Sequence, residues 1–309
     1  MWAKVVLFIM LTAVALLALA EMWLRLRRRA SLNTPPDALR PSTASLEWPD
    51  VEQRLRLVAL GDSIVNGHLV PEPRAWPARL EQRLRARHPD TDWTVVNSGI
   101  CGETVLQGLA RLQRDALRLQ PQALLIAFGL NDCYLARSTT DVWREVETFP
   151  ERTYGPLGGS RVYRAARRRI LQEEPPCKQA VPDWQPRVEP EAFVSALERM
   201  VRAAQGAGVQ HTYLLTMTPV ADGAHSYWPP EVQALQVATY HRFNDRVRES
   251  AAALGVGLID AKAGFAGSDL AQMLDFDGIH LTAAGQQRLA EIVFSALDQD
   301  GTLATLRQL

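Results

Sequence analysis

Residues 56–63 read Arg-Leu-Val-Ala-Leu-Gly-Asp-Ser, a short apolar run stopped by a glycine with a polar pair directly behind it. Consecutive rather than alternating apolar positions predict a strand over 56–60 that is covered on both faces. Similar runs recur at 93–96, at 123–128 (ALLIAF, ending at Gly129), at 212–217 (TYLLTM) and at 257–260. Between them, helical spacing of apolar residues predicts helices over 76–87, 104–119, 191–204, 231–254 and 283–297. Strand and helix signals that alternate in this way predict an α/β fold whose parallel sheet is sandwiched between helices. No internal repeat is present.

Composition narrows the function. The chain has 309 residues, 47% hydrophobic and 22% charged, which rules out a disordered or fibrous protein. Lys+Arg and Asp+Glu both number 34, so the net charge of +0 gives no bulk attraction for nucleic acid. The charge is unevenly placed: Lys4, Arg25, Arg27, Arg28 and Arg29 against Glu21 make the first thirty residues basic, and the remainder is mildly acidic. Three cysteines cannot form a disulfide scaffold, and no CxxC pair or ligand cluster suggests a metal.

Residues 5–20 read VVLFIMLTAVALLALA without a charge, and the apolar character continues to Leu24, about the length of a bilayer core. Trp2 and Trp23 stand where interfacial aromatics lie. An uncleaved single-pass membrane anchor over 1–29 is expected. The alternatives are a signal peptide cleaved at Ala18-Leu19-Ala20, which the four arginines behind it would hinder, and a buried soluble helix. The arginines favour a cytoplasmic C-terminal domain, with the extracytoplasmic side as the alternative. Pro35, Pro36, Pro41 and Pro49 mark 30–50 as a linker, and the main folded domain is expected over 51–309. Within it, the proline-rich stretch 134–188 interrupts the rhythm as an insertion. Its basic segment 161–171 reads as a solvated helix face, a lid or a lipid headgroup contact.

Four short motifs lie at strand ends or before a helix. Gly61-Asp62-Ser63 follows the first strand, where ligands of open α/β sheets bind; Ser63 suits either chemistry or a helix cap. Asn97 to Thr104 includes Gly102, whose turn exposes backbone N–H groups that suit either an oxyanion or a plain tight turn. Gly129-Leu130-Asn131-Asp132 offers the Asn131 amide as a donor, or a cap. Asp277-Gly278-Ile279-His280 precedes the last helix and pairs an imidazole with a carboxylate that can fix its tautomer. The other histidines, His68, His88, His211, His225 and His241, read as lone surface residues. Cys101 and Cys133 read as small packing residues, with a Cys133–Cys177 disulfide open if the domain lies outside the cytoplasm.

In this order the motifs resemble those of the SGNH, or GDSL-type, hydrolase family: Gly61-Asp62-Ser63, Gly102, Gly129-x-Asn131-Asp132 and Asp277-x-x-His280. The stretch 102–112 also resembles the bacterial thioesterase/lysophospholipase branch. Ile64 departs from the family's commoner Leu or Thr. Val65 and the order Ser…Asp-x-x-His separate the chain from the G-x-S-x-G elbow of α/β-hydrolases.

The resemblance implies a flavodoxin-like three-layer α/β/α sandwich with a five-stranded parallel sheet. It also implies a serine esterase in which Ser63 attacks an acyl carbonyl, His280 moves the proton and Asp277 orients His280. The backbone N–H groups of Ser63 and Gly102 and the Asn131 side chain would form the oxyanion hole, with no cofactor or metal. The expected partner is a small-molecule, lipid or glycan ester, together with the membrane through the N-terminal helix. The alternatives are an O-acyltransferase using the same triad and a non-catalytic glycan- or lipid-binding module.

Overall fold

The computed structural model describes residues 55–136, 184–222, 224 and 229–308. The expected anchor (1–29) and linker (30–50), most of the insertion with its basic segment, Cys177 and His225 lie outside the described residues. Among the described residues, no helix is long and apolar enough to cross a membrane.

Five strands, β1 (Leu55–Gly61), β2 (Trp93–Gly99), β3 (Ala123–Ala127), β4 (His211–Leu215) and β5 (Gly257–Ile259), form one sheet. Every pairing is parallel, and the spatial order is β2-β1-β3-β4-β5. The helices around the sheet include the short α1 (Ser63–Asn66) and the longer α2 (Trp76–Arg87), α3 (Val105–Asp115), α4 (Pro190–Gly206), α5 (Pro230–Leu254) and α6 (Ala283–Gln299).

Alternate residues of the strands serve opposite faces. Leu57 and Ala59 of β1 pack with Trp76, Leu80 and Leu84 of α2 and with Leu289 and Val293 of α6. Val58 and Leu60 pack with Leu112 of α3, Phe193 and Met200 of α4, and Phe243 and Val247 of α5. Full burial of each such side chain contributes about 1.5–3 kcal/mol. The result is the expected three-layer α/β/α sandwich. The order places the topological switch between β1 and β3, so the crevice at their carboxyl ends lies beside Ser63 and the 129–132 turn.

The element boundaries differ from the expected ones at polar positions. β2 extends to Gly99 because Asn97 and Ser98 pair in register with Ala59 and Leu60 while their side chains find partners nearby. The Ser98 hydroxyl donates to the Asp115 carbonyl at 2.7 Å. β4 stops at Leu215; beyond it, the Met217 N–H turns to the Asn244 side chain at 2.9 Å. The helix expected over 104–119 ends at Asp115, with a 3-10 turn over Leu117–Leu119. His88 and His211, read as surface residues, are half-buried. His88 lies 6.1 Å from the Trp93 ring, and His211 Nδ1 is 3.3 Å from the Thr302 hydroxyl. His241 is exposed, as expected.

Gly99 ends β2 directly against α1: a Cβ there would lie 2.1 Å from the Asn66 nitrogen and 2.7 Å from the Val65 carbonyl carbon. Neither backbone atom can move without shifting the turn that carries Ser63. Gly99→Ala is therefore expected to destabilise the protein by about 2–3 kcal/mol in chemical denaturation, in the range of overpacked sites. Gly206→Ala, with nothing among the described residues within 4 Å of the added carbon at the end of α4, is expected to change stability by less than about 0.5 kcal/mol or to raise it.

Candidate active site

The nucleophile turn is built by its neighbours. Asp62, 2% exposed, caps α1 by accepting the Ile64 N–H at 2.9 Å. Asp62 rather than Ser63 is thus the helix cap, and Ser63 becomes the first helical residue, largely buried at 8% exposure. Asn66 ties the end of α1 to the sheet by donating to the Gly99 carbonyl at 3.2 Å. A fully buried side chain of α6, Gln286, accepts the Trp76 N–H at 2.8 Å and donates to the Ile64 carbonyl at 3.4 Å. The helix that follows the histidine loop is thereby bonded to the helix that carries the serine.

That loop is closed on itself. The Asp275 N–H donates to the His280 carbonyl at 2.8 Å, and the Gly278 N–H donates to the Asp275 carbonyl at 2.8 Å. Thr282 caps α6 by accepting the Gly285 N–H at 3.1 Å. Asp277 Oδ1 accepts the Ile279 and His280 N–H groups, both at 2.9 Å, leaving Oδ2 for the imidazole Nδ1 at 2.5 Å. His280 Nε2 lies 2.9 Å from Ser63 Oγ. Burial of Asp277 works to raise its pKa, but the bonds from His280 and the two backbone N–H groups outweigh it and hold the carboxyl below its ordinary value. An ionised Asp277 fixes Nδ1 as the protonated nitrogen and leaves Nε2 to accept the serine proton.

Asn131 Nδ2 donates to Asp62 Oδ2 at 3.3 Å, which places its amide beside the nucleophile turn. Gly102 has φ +74°, a left-handed conformation that favours glycine. Among the described residues, neither its N–H nor that of Ser63 donates to a protein acceptor. The five expected residues therefore fall at one end of the sheet, with Ser63, His280 and Asp277 in a continuous hydrogen-bonded chain.

Several residues around them carry no motif. His68, read as a surface histidine, is half-buried with its ring edge-on to His280 at 4.6 Å. Burial, then the neighbouring His280 charge, lowers its pKa. Arg187, 5% exposed, donates to Asn131 Oδ1 at 3.2 Å and to the Gly102 carbonyl at 3.4 Å. The role of Asp62 is visible only once the turn is folded. For Arg187 the sequence gives no signal, because it ends a proline-rich stretch far from every motif.

Asp132 is fully buried; Oδ1 accepts the Val105 N–H at 2.8 Å at the start of α3, and Oδ2 has no hydrogen-bond partner among the described residues. Burial, reinforced by the Asp62 charge, pushes its pKa up to about 8 against the pull of the Val105 N–H and Arg187. Burial likewise raises Asp62 to about 6, opposed by the Ile64 N–H, the His280 charge and the Asn131 amide. Cys133 is buried, and burial raises its thiol pKa, which fits a packing residue. The half-buried Cys101 has its sulfur 3.4 Å from Asn66 Oδ1. Among the described residues, no group of three or more His, Cys, Asp or Glu is placed to hold a metal ion.

A profile of the GDSL-like lipase/acylhydrolase family matches residues 59–288, well over half of the chain. The chain belongs to this family. As a GDSL-like protein it resembles an arylesterase of Vibrio mimicus, 38% identical over 77 residues, which cover 25% of this chain and 38% of the relative. It also resembles thioesterase 1/protease 1/lysophospholipase L1 of Escherichia coli strain K12, 38% identical over 76 residues, which cover 25% of the chain and 34% of the relative. The chain thus aligns with little more than a third of each of these curated relatives. Among solved structures, a lipase/acylhydrolase from Enterococcus faecalis matches with TM-score 0.53 at 19% identity, covering 80% of this chain and 96% of that one. An acetylxylan esterase from Geobacillus stearothermophilus matches with TM-score 0.52 at 19% identity, covering 79% and 94%. At these identities the structures support the GDSL-like fold.

The raised pKa of Asp132 has a consequence for stability. The folded state keeps the proton between about pH 4 and 8 while the unfolded chain releases it, so folding stability falls as pH rises through that window. Wild type minus Asp132→Asn, compared by urea unfolding from pH 4 to 8, is expected to decline by up to about 1.4 kcal/mol per pH unit. Parallel curves for the two proteins would contradict it.

Proposed function

We propose that this protein is a serine hydrolase of acyl esters that works through an acyl-enzyme on Ser63. The observation that carries the reading is the unbroken chain from Asp277 through His280 to Ser63 Oγ at the carboxyl end of β1. In the first half-reaction, Ser63 Oγ attacks the ester carbonyl carbon as its proton passes to His280 Nε2. The C–O bond to the leaving alkoxide then breaks, and the same proton goes to that oxygen. In the second half-reaction, water repeats the attack on the acyl-enzyme, and His280 returns a proton to Ser63 as the carboxylic acid leaves. Asp277 stays ionised and supports the imidazolium. The Ser63 and Gly102 N–H groups and the Asn131 amide hold the developing oxyanion, where one donor contributes about 3–4 kcal/mol.

The family supports the ester bond as the target. The relatives' names (arylesterase, thioesterase/lysophospholipase, acetylxylan esterase) support the breadth of esters to test on this chain. The apolar segment 5–20 and the arginines after it support attachment to a membrane through a single N-terminal helix, which places the enzyme close to lipid substrates.

Fluorophosphonate labelling tests the nucleophile. Wild type is expected to be labelled, and Ser63→Ala and His280→Ala to be labelled at least about a hundredfold more slowly; equal labelling of Ser63→Ala would overturn the mechanism. On p-nitrophenyl esters of increasing chain length, Asn131→Ala is expected to lower kcat by about 10²–10³ with little change in KM.

A further inference from the structure

Asn131 and Gly102 sit on different loops, and the Arg187 guanidinium touches both. We propose that Arg187 is a positioning residue for the oxyanion hole, holding the Asn131 amide and the Gly102 turn in the arrangement that receives the acyl oxygen. This rests on the serine-hydrolase reading above.

The reason lies in the chemistry of an amide. Asn carries an acceptor oxygen and a donor NH₂ of nearly the same shape, so a lone Asn beside a substrate can present either. Here the two ends face opposite charges. Nδ2 donates to Asp62 Oδ2 at 3.3 Å, and Oδ1 accepts from Arg187 at 3.2 Å. Rotating the amide would set its oxygen against the carboxylate and its NH₂ against the guanidinium. The Asp62–Arg187 pair therefore selects the orientation in which the second N–H of Nδ2 is left for an oxyanion. At Gly102, both terminal nitrogens of Arg187 lie 3.4 Å from the carbonyl oxygen, which ties this turn to the guanidinium that also holds Asn131.

The arginine is itself held. Its own N–H donates to the Tyr134 carbonyl at 3.1 Å, and the next residue, Val188, donates to the Asp132 carbonyl at 3.2 Å. Its backbone is thus fastened to the chain immediately after Asn131. At 5% exposure the guanidinium charge is little screened by solvent, so its field also favours negative charge at the neighbouring site.

The test compares the full chain with Arg187→Met, Arg187→Lys, Asn131→Ala, Ser63→Ala and the double variant Arg187→Met/Asn131→Ala on p-nitrophenyl acetate and octanoate. Thermal unfolding is measured for each. Arg187→Met is expected to lower kcat about ten- to a hundredfold with KM within about threefold, and Arg187→Lys, which keeps the charge but not the fork, to lose less. Because Arg187 acts through Asn131, the double variant is expected to be far more active than the product of the two single losses implies. A folded Arg187→Met with kcat within about twofold of wild type would overturn the proposal, and so would fully multiplicative losses. Should Arg187→Met fail to fold, Arg187→Lys and its double variant decide on the same readouts. Turnover retained by Ser63→Ala would sink the serine mechanism itself, whereas an inactive Ser63→Ala beside a fully active Arg187 variant would sink this proposal alone.

Discussion

The hydrogen bond between Ser63 Oγ and His280 Nε2 joins residues 217 positions apart, and the architecture exists to hold it at 2.9 Å. One end is fixed by β1, held between β2 and β3, whose carboxyl edge delivers the serine onto a four-residue helix. The other end is fixed by a loop closed by its own backbone bonds and set just before α6. Gln286 is the strut between them, spending its amide on the Trp76 N–H and the Ile64 carbonyl. Without it, α6 would meet the nucleophile turn through apolar contact alone, which sets a distance less sharply than directed hydrogen bonds do.

Beneath this bond lies a buried electrostatic layer. Asp62, Asp132 and Arg187 are each at most 5% exposed and surround Asn131. Desolvation is the largest influence on both carboxyls, yet their roles differ. Asp62 uses both oxygens, capping α1 with one and holding Asn131 with the other, and its pKa rises to about 6. Asp132 uses one oxygen at the start of α3 and leaves the other without a partner among the described residues, and its pKa rises to about 8. Burial thus favours the protonated form of Asp132, which weakens its pull on the Arg187 charge.

Most of the fold can be read from the chain because parallel strands covered on both faces leave continuous apolar runs, as 56–60 and 123–127 do. The expected boundaries fail where polar residues belong to a strand: Asn97 and Ser98 look like loop and are strand, because neighbouring backbone groups satisfy their side chains. The acid, base and nucleophile are legible since each sits within a few residues of a strand end or helix start. The supporting residues are not. His68 looks like a surface histidine because its contact with His280 is made through space. Arg187 is silent for the same reason: its partners lie 56 and 85 positions away. Pattern in sequence records local constraints, and positioning residues act over long separations.

Trapping the covalent intermediate tests the central claim most directly. Wild type mixed with a p-nitrophenyl ester, acid-quenched within the first turnover and weighed intact should carry one added acyl group, which proteolysis should place on the peptide containing Ser63. Turnover without any adduct, or an adduct on another residue, would contradict a site organised around the Ser63–His280 hydrogen bond.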